Sequence, residues 1–301
     1  MKIKSIGIGR SLRSKLHSSW MAVCLVVVII LPIIILVGLV LKSVPILDQY
    51  SLSDLLFSSE WRPMSGKFGF SGFIISSIWV TLVAMLIAMP ICLLTAIHLT
   101  QYAKKWMLKT MYPIIDILAG LPSVVYGVWG VLFVVPLISD YIAPLFGKTT
   151  SGYTILAGAI VLAIMIIPFI LNVLISLFNT IPTELSEASL SLGATRWQTI
   201  KHVVLRKAFI GIVSAFGLGI SRAFGETIAV LMVVGNVIGI PKGIFQPGYP
   251  LPSLLANNYG EMLSIPMYDS ALMFSALLLF IIVLFFNAIS RMVIIRSTKH
   301  I

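Results

Sequence analysis

The chain has 301 residues, 59% of them hydrophobic and 10% charged, with 21 Lys and Arg against 10 Asp and Glu and a formal charge of +11. A soluble domain carries about 25% charged residues, so this chain lacks the polar groups to cover a soluble enzyme's surface. A disordered chain, which needs few apolar residues, is excluded by the same numbers.

The apolar residues fall in long runs. About 20 helical residues cross the roughly 30 Å hydrocarbon layer, and six runs suffice: 19–41, 71–99, 113–138, 153–178, 208–239 and 269–295. This predicts an all-α polytopic membrane protein with six transmembrane helices. The first run follows Lys2, Lys4, Arg10, Arg13 and Lys15. It is too long for a signal h-region and no small-residue cleavage site follows, so it reads as a retained helix. Cys24 and Cys92 both lie in apolar runs, as small buried hydrophobes rather than a disulfide or zinc framework.

The basic residues sort by side. With the N-terminus inside, Lys104, Lys105 and Lys109 join the five in the tail. Arg196, Lys201, Arg206 and Lys207 join them too, with Arg291, Arg296 and Lys299 at the end. The outer side holds Lys42, Arg62, Lys67, Lys148 and Lys242. The bias predicts both termini in the cytoplasm. It also assigns the positive charge to topology and anionic lipid rather than to nucleic acid. Arg222 belongs to neither side.

Between the spans, the outer loops run over 42–70 and 240–268. The second carries Pro241, Gly243, Pro247, Gly248, Pro250 and Pro252, which predicts a turn-rich surface rather than a helix. The inner loop, 179–207, reads as two short helices. Thr183 is the expected N-cap of the first, with Glu184 and Glu187 near its positive end, and Gly193 its left-handed stop. Thr195 and Gln198 form a T-x-x-Q capping box for the second.

Catalytic and metal motifs are absent from the sequence. Gly147-Lys148-Thr149-Thr150 resembles the end of a phosphate-binding loop, but Ile142 stands where the first glycine is required and no strand precedes it. Nucleotide hydrolysis therefore belongs to another chain. His98 and His202 have no metal-ligand spacing. No catalytic, metal or cofactor site is predicted.

Charges inside apolar runs are costly and mark function. Arg222 and Glu226, four apart, are expected on one helical face. Ala215, Gly219, Ala223 and Gly225 project within about 100° of Arg222, while Phe216, Ile220, Phe224, Thr227 and Leu231 project behind. This predicts a cationic anion site in which Glu226 orients and balances Arg222; an interhelical ion pair is the structural alternative. In the third run Asp116, Gly120, Ser123, Gly127 and Gly130 project within about 40° of one line, with Pro122 beside it as a candidate break.

Glu187-Ala188-Ser189, Gly193 and Val203-x-Leu205 resemble the EAA loop of type I ABC importer permeases (MetI-like). The segments Ala119–Gly130, Ile164–Pro168 and Ser221–Thr227 resemble phosphate permeases of the PstC type. The resemblance spans about residues 55–296. It departs at Arg206, where the family usually has a proline that would bend the chain into the next helix.

The resemblance implies a non-catalytic permease subunit of an ATP-driven inorganic phosphate importer in the prokaryotic plasma (inner) membrane. The implied partners are a second, PstA-like permease, two PstB-like ATPase subunits and an external PstS-like phosphate-binding protein. The resemblance implies Arg222 and Glu226 as pathway residues, and Asp116 and Ser123 of the third-run stripe, with Tyr126 beside it, are expected to join them. The implied ATPase-coupling residues are Glu187, Ala188, Ser189, Gly193, Thr195 and Arg196. The implied layout is a tail over 1–18, a first helix over 19–41, a permease domain over 71–295 holding the loop 179–207, and a tail over 296–301. Residue chemistry alone leaves open another oxyanion, such as sulfate or molybdate, and an intramembrane enzyme or signalling scaffold.

Overall fold

The computed structural model describes residues 4–260, 265 and 267–298. Among them, six helical stretches are long and apolar enough to cross a membrane: His17–Gln49, Ser71–Tyr102, Ser123–Leu145, Ile155–Asn179, Arg196–Gly225 and Tyr268–Met292. They match the six predicted runs in order, but two runs are broken and the ends move.

Helix α1 (Lys4–Gln49) is longer than the predicted 19–41 and runs through Pro32 and Pro45. An outer cap follows, made of α2 (Leu52–Phe57) and a two-residue hairpin, β1 (Trp61–Arg62) against β2 (Lys67–Phe68). Lys67 donates to Glu60 beside this hairpin and holds its carboxyl below the usual carboxylate range.

Helix α3 (Ser71–Ile97) is carried by a π-helical turn to Tyr102. The third predicted run is two elements. Helix α4 (Lys105–Gly120) stops at Leu121 and Pro122, both extended (ψ 137° and 141°), and α5 (Ser123–Trp129) begins the crossing stretch, which ends in α6 (Ala143–Leu145). Proline disfavours helical geometry in the residue before it, so the break falls at Leu121. Asp116 and Gly120 therefore lie on α4, on the near side of a break from Ser123, Gly127 and Gly130.

Helix α7 (Ile155–Asn179) is capped by Thr154, whose hydroxyl accepts from the Ala157 N–H at 3.2 Å. The inner loop holds α8 (Thr183–Ser191) and α9 (Arg196–Thr199). A π-helical turn over Ile200–Val204 leads into α10 (Leu205–Gly225). Arg206 lies within this helix, and no bend is needed where the family has proline. The fifth run ends early: Glu226 is extended (φ −74°, ψ 128°), α11 (Ile228–Leu231) is one turn, and the chain then turns back through a bridge between Gly235 and Gly248. The outer loop predicted to be turn-rich contains α12 (Leu251–Asn258), with Pro252 at its first turn, where proline costs no hydrogen bond. Helix α13 (Tyr268–Thr298) closes the chain.

Lipid is as apolar as leucine, so helices associate in a membrane by close packing rather than by the hydrophobic effect. The seam of α3 and α7 is built that way. Ala84, Ala88, Cys92 and Ala96 repeat every four residues along α3 and are fully buried. The Cys92 thiol reaches the Ile167 carbonyl of α7 at 3.5 Å. A Cβ added at Gly219 of α10 would lie 2.5 Å from Ile170, so α10 also packs tightly on α7. A second cluster sits at the outer end, where Trp61, Phe68, Phe70, Phe73, Tyr249, Tyr268 and Phe274 pack around Ile46 and Leu55. Polar atoms tie its elements together: the Ser77 hydroxyl accepts from the Leu251 N–H at 2.8 Å, and the Ser270 hydroxyl donates to the Lys42 carbonyl at 2.8 Å.

Candidate functional site

The breaks at 121–122 and 226–227 shape the region around Arg222. Arg222 lies near the end of α10, and helical side chains lean toward the helix N-terminus. Its guanidinium sits over the ring of Phe169 on α7, 4.6 Å from the centroid. Among the described residues the ion pairs are Lys42 with Asp269 and Lys67 with Glu60; Arg222 has neither kind of partner. Arg222 is exposed on the surface of the chain, in a helix that after Arg206 and Lys207 is otherwise made of apolar, glycine, alanine and serine positions. An aromatic face holds a guanidinium without neutralising it. The positive charge is thus positioned and left available to an anion.

Glu226 does not share that face. Helix α10 ends at Gly225, and the Glu226 carboxylate accepts from the Ala229 N–H at 3.2 Å, capping the short α11. It borders a small space with Ser77, Thr81, Pro250 and Pro252, toward α3 and α12. The expectation of an Arg222–Glu226 pair is corrected accordingly. A spacing of four gives a common face only if the helix continues, and here it stops one residue short.

Tyr126 is buried on α5, and its hydroxyl finds a partner on α4. That hydroxyl donates to the Leu118 carbonyl at 2.7 Å. Leu118 precedes the 121–122 break, so Tyr126 satisfies a carbonyl near the end of α4 and braces the break. Helix α5 is pressed against α11: a Cβ at Gly127 would lie 2.5 Å from Met232. Ser123 is half-buried at the first position of α5, and no contact joins it to Arg222.

Asp116 lies on α4 and accepts from the Asn172 amide of α7 at 3.0 Å. Farther along the same two helices, the Asn179 amide donates to the Tyr112 hydroxyl at 3.1 Å. Phe169, Asn172, Ser176 and Asn179 are spaced three, four and three, which is one face of α7. The sequence reading passes over all four. The signal was present as polar residues at helical spacing in a run otherwise made of Ile, Leu, Val and Phe.

The inner loop follows its expected local chemistry, with one exception. Gly193 takes φ +84°, the left-handed stop. The Thr195 hydroxyl accepts from the Gln198 N–H at 3.3 Å, while Gln198 accepts from the Thr195 N–H at 2.8 Å. Thr183 is not the cap of α8: that position is Pro182, and no side chain caps it. Proline fixes the extended geometry before the helix instead. The Ser189 and Thr199 hydroxyls share a hydrogen bond of 2.9 Å that joins α8 to α9, and Arg196 lies 5.3 Å over the ring of Tyr102, joining the loop to the end of the α3 stretch. Glu187 and Ala188 are exposed. Leu192 and Trp197 are exposed as well, Leu192 by 90%, and neither was singled out from sequence.

Among the described residues no cluster of metal-ligating side chains occurs. Residues 88–296 match the family described as binding-protein-dependent transport system inner membrane component. The phosphate transport system permease protein PstC of Xylella fastidiosa (strain Temecula1) is 35% identical over 260 residues, 82% of this chain and 80% of that one. The probable phosphate transport system permease protein PstC of Methanocaldococcus jannaschii is 35% identical over 293 residues, 91% of each chain. A solved inward-facing structure of the MetNI methionine ABC transporter superposes with a TM-score of 0.55 at 21% identity, covering 74% of this chain and 93% of that one. With six apolar helices in this arrangement and a family match over most of its length, the chain belongs to the binding-protein-dependent transport system inner membrane components, beside the PstC permeases, and is an integral inner membrane protein with the type I ABC importer permease fold.

Proposed function

We propose that this chain is the permease subunit of an ATP-driven inorganic phosphate importer. The observation that carries the reading is Arg222: a guanidinium within a membrane-spanning segment, stacked on Phe169 and unpaired with any described carboxylate. Such a charge is tolerated where it faces a protein interior or a water-filled path. Its planar fork suits a tetrahedral oxyanion, which accepts two parallel hydrogen bonds. The relatives, which are phosphate transport system permeases, supply phosphate as the oxyanion.

The chain pairs with a PstA-like permease across the exposed face that carries Arg222, and phosphate passes between the two. Helices α8 and α9 dock into PstB-like ATPases on the inner side, where both tails, 1–18 and 296–301, also lie. Leu192 and Trp197 give that surface apolar contacts, and the capping box, the αL stop and the Ser189–Thr199 bond keep it rigid enough to transmit a push. The external cap over α2 and the hairpin receives a PstS-like binding protein. The chain contributes no catalytic group, and hydrolysis occurs on the ATPases.

A stacked arginine binds an anion moderately. That suits passage, since a site that holds its ligand too tightly will not release it. The reading is tested in liposomes holding the four-component complex, by ATP-dependent uptake of labelled phosphate in competition with sulfate and molybdate. Phosphate uptake unaffected by a hundredfold excess of sulfate is expected. Uptake of sulfate in preference to phosphate would replace the substrate, and ATP hydrolysis with no oxyanion uptake would overturn the transport reading.

A further inference from the structure

Arg222 explains where an anion pauses, not how it leaves. Helix α7 ends at Asn179, next to the inner loop, so the eleven residues from Phe169 to Asn179 cover the inner part of the crossing, about 15 Å at 1.5 Å per step. Along that length one face of α7 carries Asn172, Ser176 and Asn179, and α4 carries Tyr112 and Asp116 opposite. Asp116, Ser176 and Asn179 are exposed, and Asn172 and Tyr112 half-buried, so among the described residues no element covers the track. An asparagine, a serine and an aspartate turned to hydrocarbon would be costly, which excludes lipid as the neighbour of this face. The track starts one turn below the ring that holds Arg222.

We propose that this face of α7, with Tyr112 and Asp116 of α4, is a wet exit branch through which the oxyanion leaves Arg222 for the inner side. The inference rests on the phosphate-permease reading. The branch is polar and its amides are engaged, Asn172 donating to Asp116 and Asn179 to the Tyr112 hydroxyl, while Lys109, exposed on the same face of α4 one turn before Tyr112, stands at its inner end. Asp116 adds a negative charge below the arginine. A departing anion therefore meets water, hydroxyls and a repelling carboxylate along the branch, and a basic group only at Lys109, beside the inner side. Ser176 lies between the two hydrogen-bonded rungs and is exposed, so a bulky side chain there would project into the track.

The test uses the assembled complex in inside-out vesicles, with Cys24 and Cys92 replaced by alanine and single cysteines introduced by Asn172→Cys, Ser176→Cys, Asn179→Cys and Leu86→Cys. Leu86, 74% exposed on α3, reports a lipid-facing position. An anionic, membrane-impermeant thiosulfonate is added and modification followed by mass. Positions 176 and 179 are expected to react at least tenfold faster than position 86, and modification at 176 to stop the ATP-driven release of labelled phosphate loaded inside the vesicles with the binding protein. Rates at 172, 176 and 179 no faster than at 86 would overturn the branch, whether lipid or a helix of the second permease covers the face. A variant that needs no thiol background, Ser176→Trp, is expected to assemble normally and lose at least nine-tenths of uptake; full uptake would also overturn the branch. Phosphate uptake by the unaltered complex separates the two readings. If it transports phosphate and the track is inert, the branch fails; if it transports a different anion while the track reacts, the substrate reading fails and the branch stands.

Discussion

At the scale of single residues, most of the site's chemistry rests on what Arg222 touches. The sequence made Arg222 conspicuous as the basic residue that fits neither side of the membrane. Its surroundings were less legible. A spacing of four points to Glu226, but the pairing depends on whether the helix survives Gly225, and glycine near a helix end is ambiguous in sequence. The ring of Phe169 comes from another span, and no local pattern announces a contact between α7 and α10. Tyr126 was legible as part of a motif but not as a brace. Its hydroxyl bond to the Leu118 carbonyl gives a direct prediction. Tyr126→Phe leaves that carbonyl with only the Leu121 N–H at 3.3 Å, at a cost of about 0.5–1.5 kcal/mol, and thermal unfolding of the purified complex should show a lowered midpoint with assembly retained. An unchanged midpoint would mean that water replaces the hydroxyl at no cost. Arg222→Lys keeps the charge but loses the planar fork and the stacking. Uptake by that variant is expected to fall at least tenfold, and a wild-type rate would show that charge alone suffices.

Among the elements, the inner loop was the most readable and the broken spans the least. Thr195 with Gln198, and Gly193 as a stop, are short-range signals whose hydrogen-bond partners lie within four residues, so the sequence contains the whole interaction. Thr183 failed because two capping chemistries compete at adjacent positions, and the geometry of Pro182 prevails. A Cβ at Gly193 meets nothing within 4 Å, so a substitution there acts through the backbone alone. Holding an L-residue left-handed costs roughly 1–2 kcal/mol, with asparagine penalised least. Gly193→Leu is therefore expected to loosen the loop and uncouple the ATPase, while Gly193→Asn retains most of the coupling. The measurement is phosphate taken up per ATP hydrolysed in reconstituted complex. Equal ratios in the two variants would remove the rigid-loop account. Leu192→Asp, at the most exposed apolar position of the loop, should reduce ATPase co-purification severalfold without altering the fold of the permease. Undiminished co-purification would place docking elsewhere.

For the whole molecule, composition and run length carried the six spans, because each crossing must satisfy its backbone internally and so must be a long helix. The edges of the second, fourth and sixth runs were off by a few residues, α1 extends eight residues past its predicted outer end to Gln49, and the third and fifth runs are off by more because they are broken. The breaks before Ser123 and after Gly225 could not be placed from run length, since the apolar pattern continues through them. They are what separates Asp116 from the third span and turns Glu226 away from Arg222. The charge bias makes a prediction at this scale: reporters fused to either terminus should be active only on the cytoplasmic side, and an outward-active fusion would reverse the orientation and move the inner loop away from any ATPase. The central claim is that Arg222 is where the oxyanion is held in transit. It is tested most directly by ATP-driven uptake of labelled phosphate into vesicles carrying equal amounts of wild-type and Arg222→Gln complex. Uptake by the variant at background, with its ATPase still bound, is the predicted result; uptake at the wild-type rate would contradict the claim.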